Sequence, residues 1–359
     1  MHVMTENNLI LIYIGFFFCI CIALFDSYDV ISSRHRQRSE KKAAKELLKL
    51  MKEQTLDFLS GTYNEQSARK QFKRQLRYDR TLLSVETAID LLLKEYKLEI
   101  SIEDLINLWF SVLIDRYKTS ELVVKEYLIF LIGKYKINSG KATHFLSEMI
   151  SRGEYELKEE ALYSICKQNN PILLKRTLRA LNRLDEPLNR KIITDALNNF
   201  SGTTEEKENI VLADFFILND HLKVGIIDFM DETYSITLKE NLIDLLENKK
   251  TDKEVRLAII KYFGRHYYPP AKRVLLEMAD NRREWEYAAV AATSMHLYPG
   301  ADTVEQAAKR MTDANWYVRY NNSLTLSLIA DDERIEDILQ SKDRYARESM
   351  LYAKEKTHK

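Results

Sequence analysis

The stretch Asp252-Lys253-Glu254-Val255-Arg256-Leu257-Ala258-Ile259-Ile260 decides the fold. Val255, Ala258, Ile259 and Tyr262 fall at helical spacing and so share one side of a helix. Tyr267-Tyr268-Pro269-Pro270 then breaks that helix, because proline is disfavoured in a helix interior and suits a first turn. A second helix follows with Val274, Leu275 and Met278, and Asp280-Asn281 closes the unit. The opening motif returns upstream as Leu157-Lys158-Glu159-Glu160-Ala161-Leu162, Leu188-Asn189-Arg190-Lys191-Ile192-Ile193 and Leu222-Lys223-Val224-Gly225-Ile226-Ile227. It returns downstream from Tyr287 and from Val318. Successive starts lie 31, 34, 33, 32 and 31 residues apart. A fixed period of that size is the signature of a solenoid, a fold that grows by adding units and presents a long surface.

The helix breaks recur with the motif. Asn169-Asn170-Pro171 and Tyr298-Pro299-Gly300-Ala301-Asp302 occupy the place of the Pro269-Pro270 break. A less regular copy opens at Leu122, residues 81–121 read as a degenerate N-terminal repeat or cap, and repeats fill 122–348. Residues 349–359 read as a C-terminal cap and tail, because the charged end Lys354-Glu355-Lys356 would shield the last core layer from water.

Two copies, Asp252-Lys253-Glu254-Val255-Arg256-Leu257-Ala258 and Asp313-Ala314-Asn315-Trp316-Tyr317-Val318-Arg319, resemble HEAT repeats, whose mark is an Asp followed by Val-Arg opening a helix. The resemblance covers roughly residues 122–353 and is clearest over 250–330. The short units are more similar to the compact bacterial HEAT-like class named after phycobilisome lyases. Most copies lack the Val-Arg pair, so their register rests on hydrophobic spacing. The resemblance implies an all-α, right-handed α-solenoid of helix–turn–helix repeats with a period of about 32 residues.

Leu9 to Phe25 is a run of 17 residues without a charge. As a helix it spans roughly 26 Å, near the lower limit for a bilayer core. No basic n-region precedes it and no small-residue cleavage site follows, so it reads as an uncleaved transmembrane helix. Residues 1–8 become a short extracytoplasmic tail. Arg34, Arg36, Arg38, Lys41 and Lys42 follow closely, which by the positive-inside rule puts the rest in the cytoplasm. The reading is a single-pass inner-membrane protein with its N-terminus outside. Residues 26–80 form a basic juxtamembrane helical region, with 14 Lys/Arg against 6 Asp/Glu over 34–80. That excess predicts attraction to anionic lipid headgroups. Ser39 to Leu59 is a helix candidate whose Ala44, Leu47, Met51 and Phe58 suggest either a short coiled coil or packing on the first repeat.

The composition excludes several functions. Formal net charge is zero over 359 residues, so no global field draws in nucleic acid. Cys19, Cys21 and Cys166 form no disulfide framework, and Cys166 reads as core. No histidine pair brackets a carboxylate, no phosphate loop occurs, and Ser201-Gly202 lacks a nucleophile elbow. The sequence therefore predicts no catalytic residue, no metal, no cofactor and no enzymatic activity.

Candidate contacts are aromatic and basic. Trp285, Tyr287, Trp316, Tyr317 and Tyr320 recur at the openings of neighbouring repeats, and Trp, Tyr and Arg are enriched in binding hot spots. Joint-covering between repeats is the competing role for both tryptophans. Arg176, Arg179 and Arg183 share a helical face and are either a further contact or a solvated stripe. Asp252, Arg256, Asp313 and Arg319 read as repeat-structural, with both arginines bridging neighbouring repeats through the aspartates. The expected function is a membrane-anchored cytoplasmic scaffold or adaptor that binds a membrane protein with a cytoplasmic domain. The resemblance points to envelope or exopolysaccharide assembly, with a membrane glycosyltransferase as the leading partner. The alternative is a polyanion (nucleic-acid or lipid) binder or a HEAT-like lyase-type enzyme, although nucleic acid is disfavoured by the zero net charge.

Overall fold

The computed structural model describes residues 6–76, 81–96, 102–200, 202–235 and 237–357, with side chains except at 6–12, 15 and 36. Residues 1–5 of the tail, Ser201 and the Arg36 side chain lie outside the described residues. Every regular element among them is helical. The chain divides into two compact units, 1–145 and 146–359.

The first unit is built on α1 (Glu6–Leu59), followed by α2 (Glu65–Gln75), α3 (Leu82–Tyr96), α4 (Glu103–Tyr117) and α5 (Leu122–Lys134). The apolar run and the basic region as far as Leu59 are one unbroken helix of 54 residues, roughly 81 Å long. It is the one helix among the described residues long and apolar enough to cross a membrane. Its side chains are exposed from Phe16 through Arg34 and become buried at Ala43, Ala44, Leu47 and Met51, where α1 packs on α3. This stripe, a coiled-coil candidate in the sequence, is therefore covered within its own chain and is not a dimer seam. Gln54 is buried beneath it. Its amide donates to the Ala68 carbonyl at 3.0 Å and accepts from Trp109 Nε1 at 2.7 Å, tying α1 to α2 and α4. Between α3 and α5, Lys134 donates to Glu86 and Asp90 and Tyr135 donates to Asp90, each at 2.7 Å. Burial first, and then the Asp90 carboxylate, push the Tyr135 phenol above its usual range.

The division falls within α6 (Gly140–Arg152), and the second unit goes on with α7 (Tyr155–Lys167), α8 (Pro171–Leu181), α9 (Arg190–Asn198), α10 (Thr204–Leu212), α11 (Asp220–Glu232) and α12 (Lys239–Glu247). It continues with α13 (Lys253–Phe263), α14 (Ala271–Ala279), α15 (Trp285–Ser294), α16 (Ala301–Lys309), α17 (Trp316–Ile329), α18 (Asp332–Leu339) and α19 (Arg344–Thr357). Helices α7, α9, α11, α13, α15, α17 and α19 stack in order, each on the next. Their partners α8 and α10, and α12, α14 and α16, stack likewise. This is the arrangement of a helical-repeat solenoid. Polar caps fix the helix starts: Asn170 accepts from Leu173 N at 3.0 Å with Pro171 opening α8, and Thr203 and Glu206 form a capping box on α10.

The stacked helices bury the predicted faces. Val255, Ala258, Ile259 and Tyr262 are all core. Buried hydroxyls cross the joints to backbone carbonyls: Thr194 to Gly225 at 2.9 Å, Ser294 to Ile260 at 2.9 Å, and Thr325 to Ala292 at 2.6 Å. Each satisfies a donor that would otherwise be unpaired in the core. Gly225 is required by close approach, since a Cβ there would sit 2.9 Å from Ile193 Cβ on α9.

Candidate functional site

The first residues of α15 and α17 are Trp285 and Trp316, so both indoles sit at the N-terminal edge of stacked helices. Trp285 stacks on Tyr317 with ring centres 5.5 Å apart and planes 19° apart. Trp316 meets Tyr317 edge-on at 5.1 Å and stacks on Tyr320 at 4.9 Å with planes 6° apart. Tyr320 contacts Tyr352 of α19 at 5.7 Å. The result is a ladder of rings across α15, α17 and α19. It stays open to solvent: Trp285 is 41% exposed, Trp316 50% and Tyr317 55%. The tryptophans thus cover joints between helices and also keep large free surfaces.

Two tyrosines that sequence reading did not single out complete the surface. Tyr345 and Tyr352, seven residues apart on α19, are both exposed and line a cleft of about 190 Å³ with Trp316, Arg319 and Tyr320. Their i, i+7 spacing was a legible sign of a shared helix face. At the far end, Lys356 donates to the Tyr320 hydroxyl at 2.9 Å, which holds the ammonium above its usual range.

Tyr287 is not on this surface. It is 2% exposed, and the Arg256 guanidinium lies 4.6 Å over its ring. Two residues along a helix turn the side chain by roughly 200°, so Trp285 and Tyr287 face opposite ways. Arg256 and Arg319 are buried structural residues, but the aspartates do not receive them. Arg256 donates to the Leu246 carbonyl at 3.2 Å, and Arg319 donates to the Asp313 and Ala314 carbonyls at 2.6 and 3.0 Å while lying over Tyr345. Asp252 caps α13 through Glu254 N at 2.8 Å, and Asp313 pairs with Arg310 at 2.8 Å. The bridge between repeats is therefore cation on ring, with no Asp ladder.

The predicted arginine stripe separates into different roles: Arg176 and Arg179 lie on α8, whereas Arg183 lies past its end at Leu181. Arg179 forms a two-pronged pair with Asp214, at 2.6 and 2.8 Å, and is committed to structure. Hydrogen bonding and charge from Arg179 hold the Asp214 carboxyl below its usual range. Arg176 and Arg183 are exposed. Cys166 is fully buried, and burial pushes its thiol up to about 12, as expected of a core cysteine.

On α1, Arg34, Arg38, Lys41 and Lys42 are all exposed. A polar cleft of about 750 Å³ at the N-terminal edge of α9, α11 and α13 is lined by Asn189, Asn219 and Asp252, which are those helices' own caps.

No family model matches the chain, and no curated protein does. Among solved structures, human deoxyhypusine hydroxylase in complex with glycerol is similar at 12% identity and a TM-score of 0.30, over 90% of this chain and 99% of that one. The expectation that the chain is not an enzyme is corrected on this point. It rested on the missing catalytic motifs, whereas the similar solved structure carries the name of a hydroxylase. At this likeness no reaction is assigned to the chain.

Proposed function

We propose that this chain is a membrane-anchored scaffold or adaptor whose right-handed helical-repeat solenoid, with a period of about 32 residues, holds a membrane-associated partner protein. The observation that carries the reading is the ladder of Trp285, Tyr317, Trp316, Tyr320 and Tyr352, exposed except at the half-buried Tyr320. A run of large rings in water is costly for a solitary surface and is the chemistry of binding hot spots. The rings are also braced by one another, so little side-chain entropy is lost when a partner covers them.

The apolar start of α1 anchors the chain in the inner membrane as a single pass, and the basic residues after it place the solenoid in the cytoplasm. Tethering raises the effective concentration of any membrane partner with a cytoplasmic domain. On an upright helix Arg34 stands roughly 13 Å beyond Phe25 and Lys42 roughly 25 Å. Attraction to anionic headgroups decays over about 8 Å at physiological salt. Arg34 is thus the basic residue best placed for lipid, while Lys41 and Lys42 stand clear of it.

The test is affinity purification of the full chain from native membranes in mild detergent, beside a Trp285→Ala/Trp316→Ala variant. One stoichiometric membrane protein that is present with the wild type and absent with the folded variant supports the reading. Identical co-purification with both sinks the ladder as the contact.

A further inference from the structure

A second surface in the first unit has different chemistry. Between α2 and α4 lies a cleft of about 440 Å³, within the size range of small-ligand sites. Its floor includes Leu76 and Val112, both buried and apolar. Its rim carries Lys70 and Lys73 from α2 and Arg116 from α4. Among the described residues no carboxylate pairs with any of these three.

The one carboxylate on the rim, Asp115, is already committed. It receives Lys141 at 2.5 Å and Arg69 at 3.7 Å, and Arg69 also donates to Ser111 at 2.9 Å. The cleft therefore gathers positive charge that no carboxylate among the described residues neutralises, above a floor that favours an apolar group. Like charges held together repel, and a bound anion removes that repulsion.

We propose that this cleft binds a small organic phosphate, with the phosphate groups between Lys70, Lys73 and Arg116 and the apolar part of the ligand on Leu76 and Val112. Arginine and lysine together supply forked and point-charge contacts to phosphate oxygens. The bilayer is not the source. Ala68 of α2 is fixed to Gln54, which stands 29 residues beyond Phe25, roughly 43 Å along an upright α1. The site is independent of the aromatic ladder; its distance from the bilayer rests on the membrane anchor proposed above.

The test is titration calorimetry on the full chain in detergent micelles, with inorganic pyrophosphate and ADP as probes and phosphatidic acid vesicles as a third arm. One site is expected for each soluble probe, with ADP at least about threefold tighter because of the apolar floor. Lys73→Glu/Arg116→Glu should weaken both by at least about tenfold. Lys45→Glu/Lys49→Glu, which reverses two exposed charges of α1, should leave both unchanged. Equal losses in the two double variants would reveal diffuse surface charge and overturn the proposal. So would the absence of heat with both soluble probes, vesicle binding alone, or ADP binding no tighter than pyrophosphate.

Discussion

The indole of Trp285 lies on the phenol of Tyr317, 5.5 Å away and 19° from parallel, although the two residues sit in the first turns of different helices. The contact joins α15 to α17 and holds both rings on the same edge of the unit. It makes the ladder a fixed surface.

Removing the ladder's indoles should separate binding from folding. Trp285 and Trp316 are about half exposed, so Trp285→Ala/Trp316→Ala should cost no more than about 1–2 kcal/mol of stability. Loss of two hot-spot residues should weaken partner binding by at least about 30-fold. Thermal melting by circular dichroism, beside quantitative co-purification, checks both.

Tyr287 should behave in the opposite way. Its ring is enclosed beneath Arg256, so Tyr287→Ala should destabilise the chain by about 3–5 kcal/mol. Tyr287→Phe keeps the ring and should cost far less. Partner binding per folded molecule should be unchanged in Tyr287→Phe, measured by the same pull-down normalised to folded protein.

Gly225 tests the close stacking of α9 on α11. A methyl at that position would meet Ile193 Cβ at 2.9 Å and the Arg190 carbonyl at 3.1 Å. Gly225→Val should therefore cost about 1–3 kcal/mol or more through overpacking. Gly225→Ala should fall between the variant and wild type in denaturant unfolding.

The Arg179–Asp214 pair predicts a pH dependence with a definite sign. Arg179 lowers the folded pKa of Asp214, so the pair's stabilisation is fully present above the unfolded carboxylate pKa of about 3.9. It is lost as the pH falls through the lower, folded value. Asp214→Asn should melt below wild type at pH 7, and the gap should close in acid below about pH 4. Melting curves from pH 3 to pH 7 would show a constant gap if the pair contributes nothing.

The helices and their order could be read from sequence because they rest on local rules. Apolar spacing at Val255, Ala258, Ile259 and Tyr262 and the Asn170-Pro171 break each act within a few residues. The site was only half legible, because its logic is long-range. Arg179 looked like one of three equal charges until α10 and the turn after it carried Asp214 to its side, 35 residues on. Tyr287 looked like a neighbour of Trp285 in sequence, although the helical turn points it into the core. Tyr345 and Tyr352 were hidden by the charges around them in α19, which made that helix read as a cap. The stripe on α1 read equally as dimer seam or packing face, and only the position of α3 decides between them.

The most direct measurement places a photo-crosslinking residue at Tyr317, in the middle of the ladder, and a control at Arg176, which is exposed on α8. Both full-length chains are irradiated in native membranes and the adducts are identified by mass spectrometry. The account predicts one dominant adduct from position 317, with an integral membrane protein, and little or none from position 176. No adduct at 317, or the same adducts at both positions, would contradict the claim that the aromatic ladder is where this protein holds its partner.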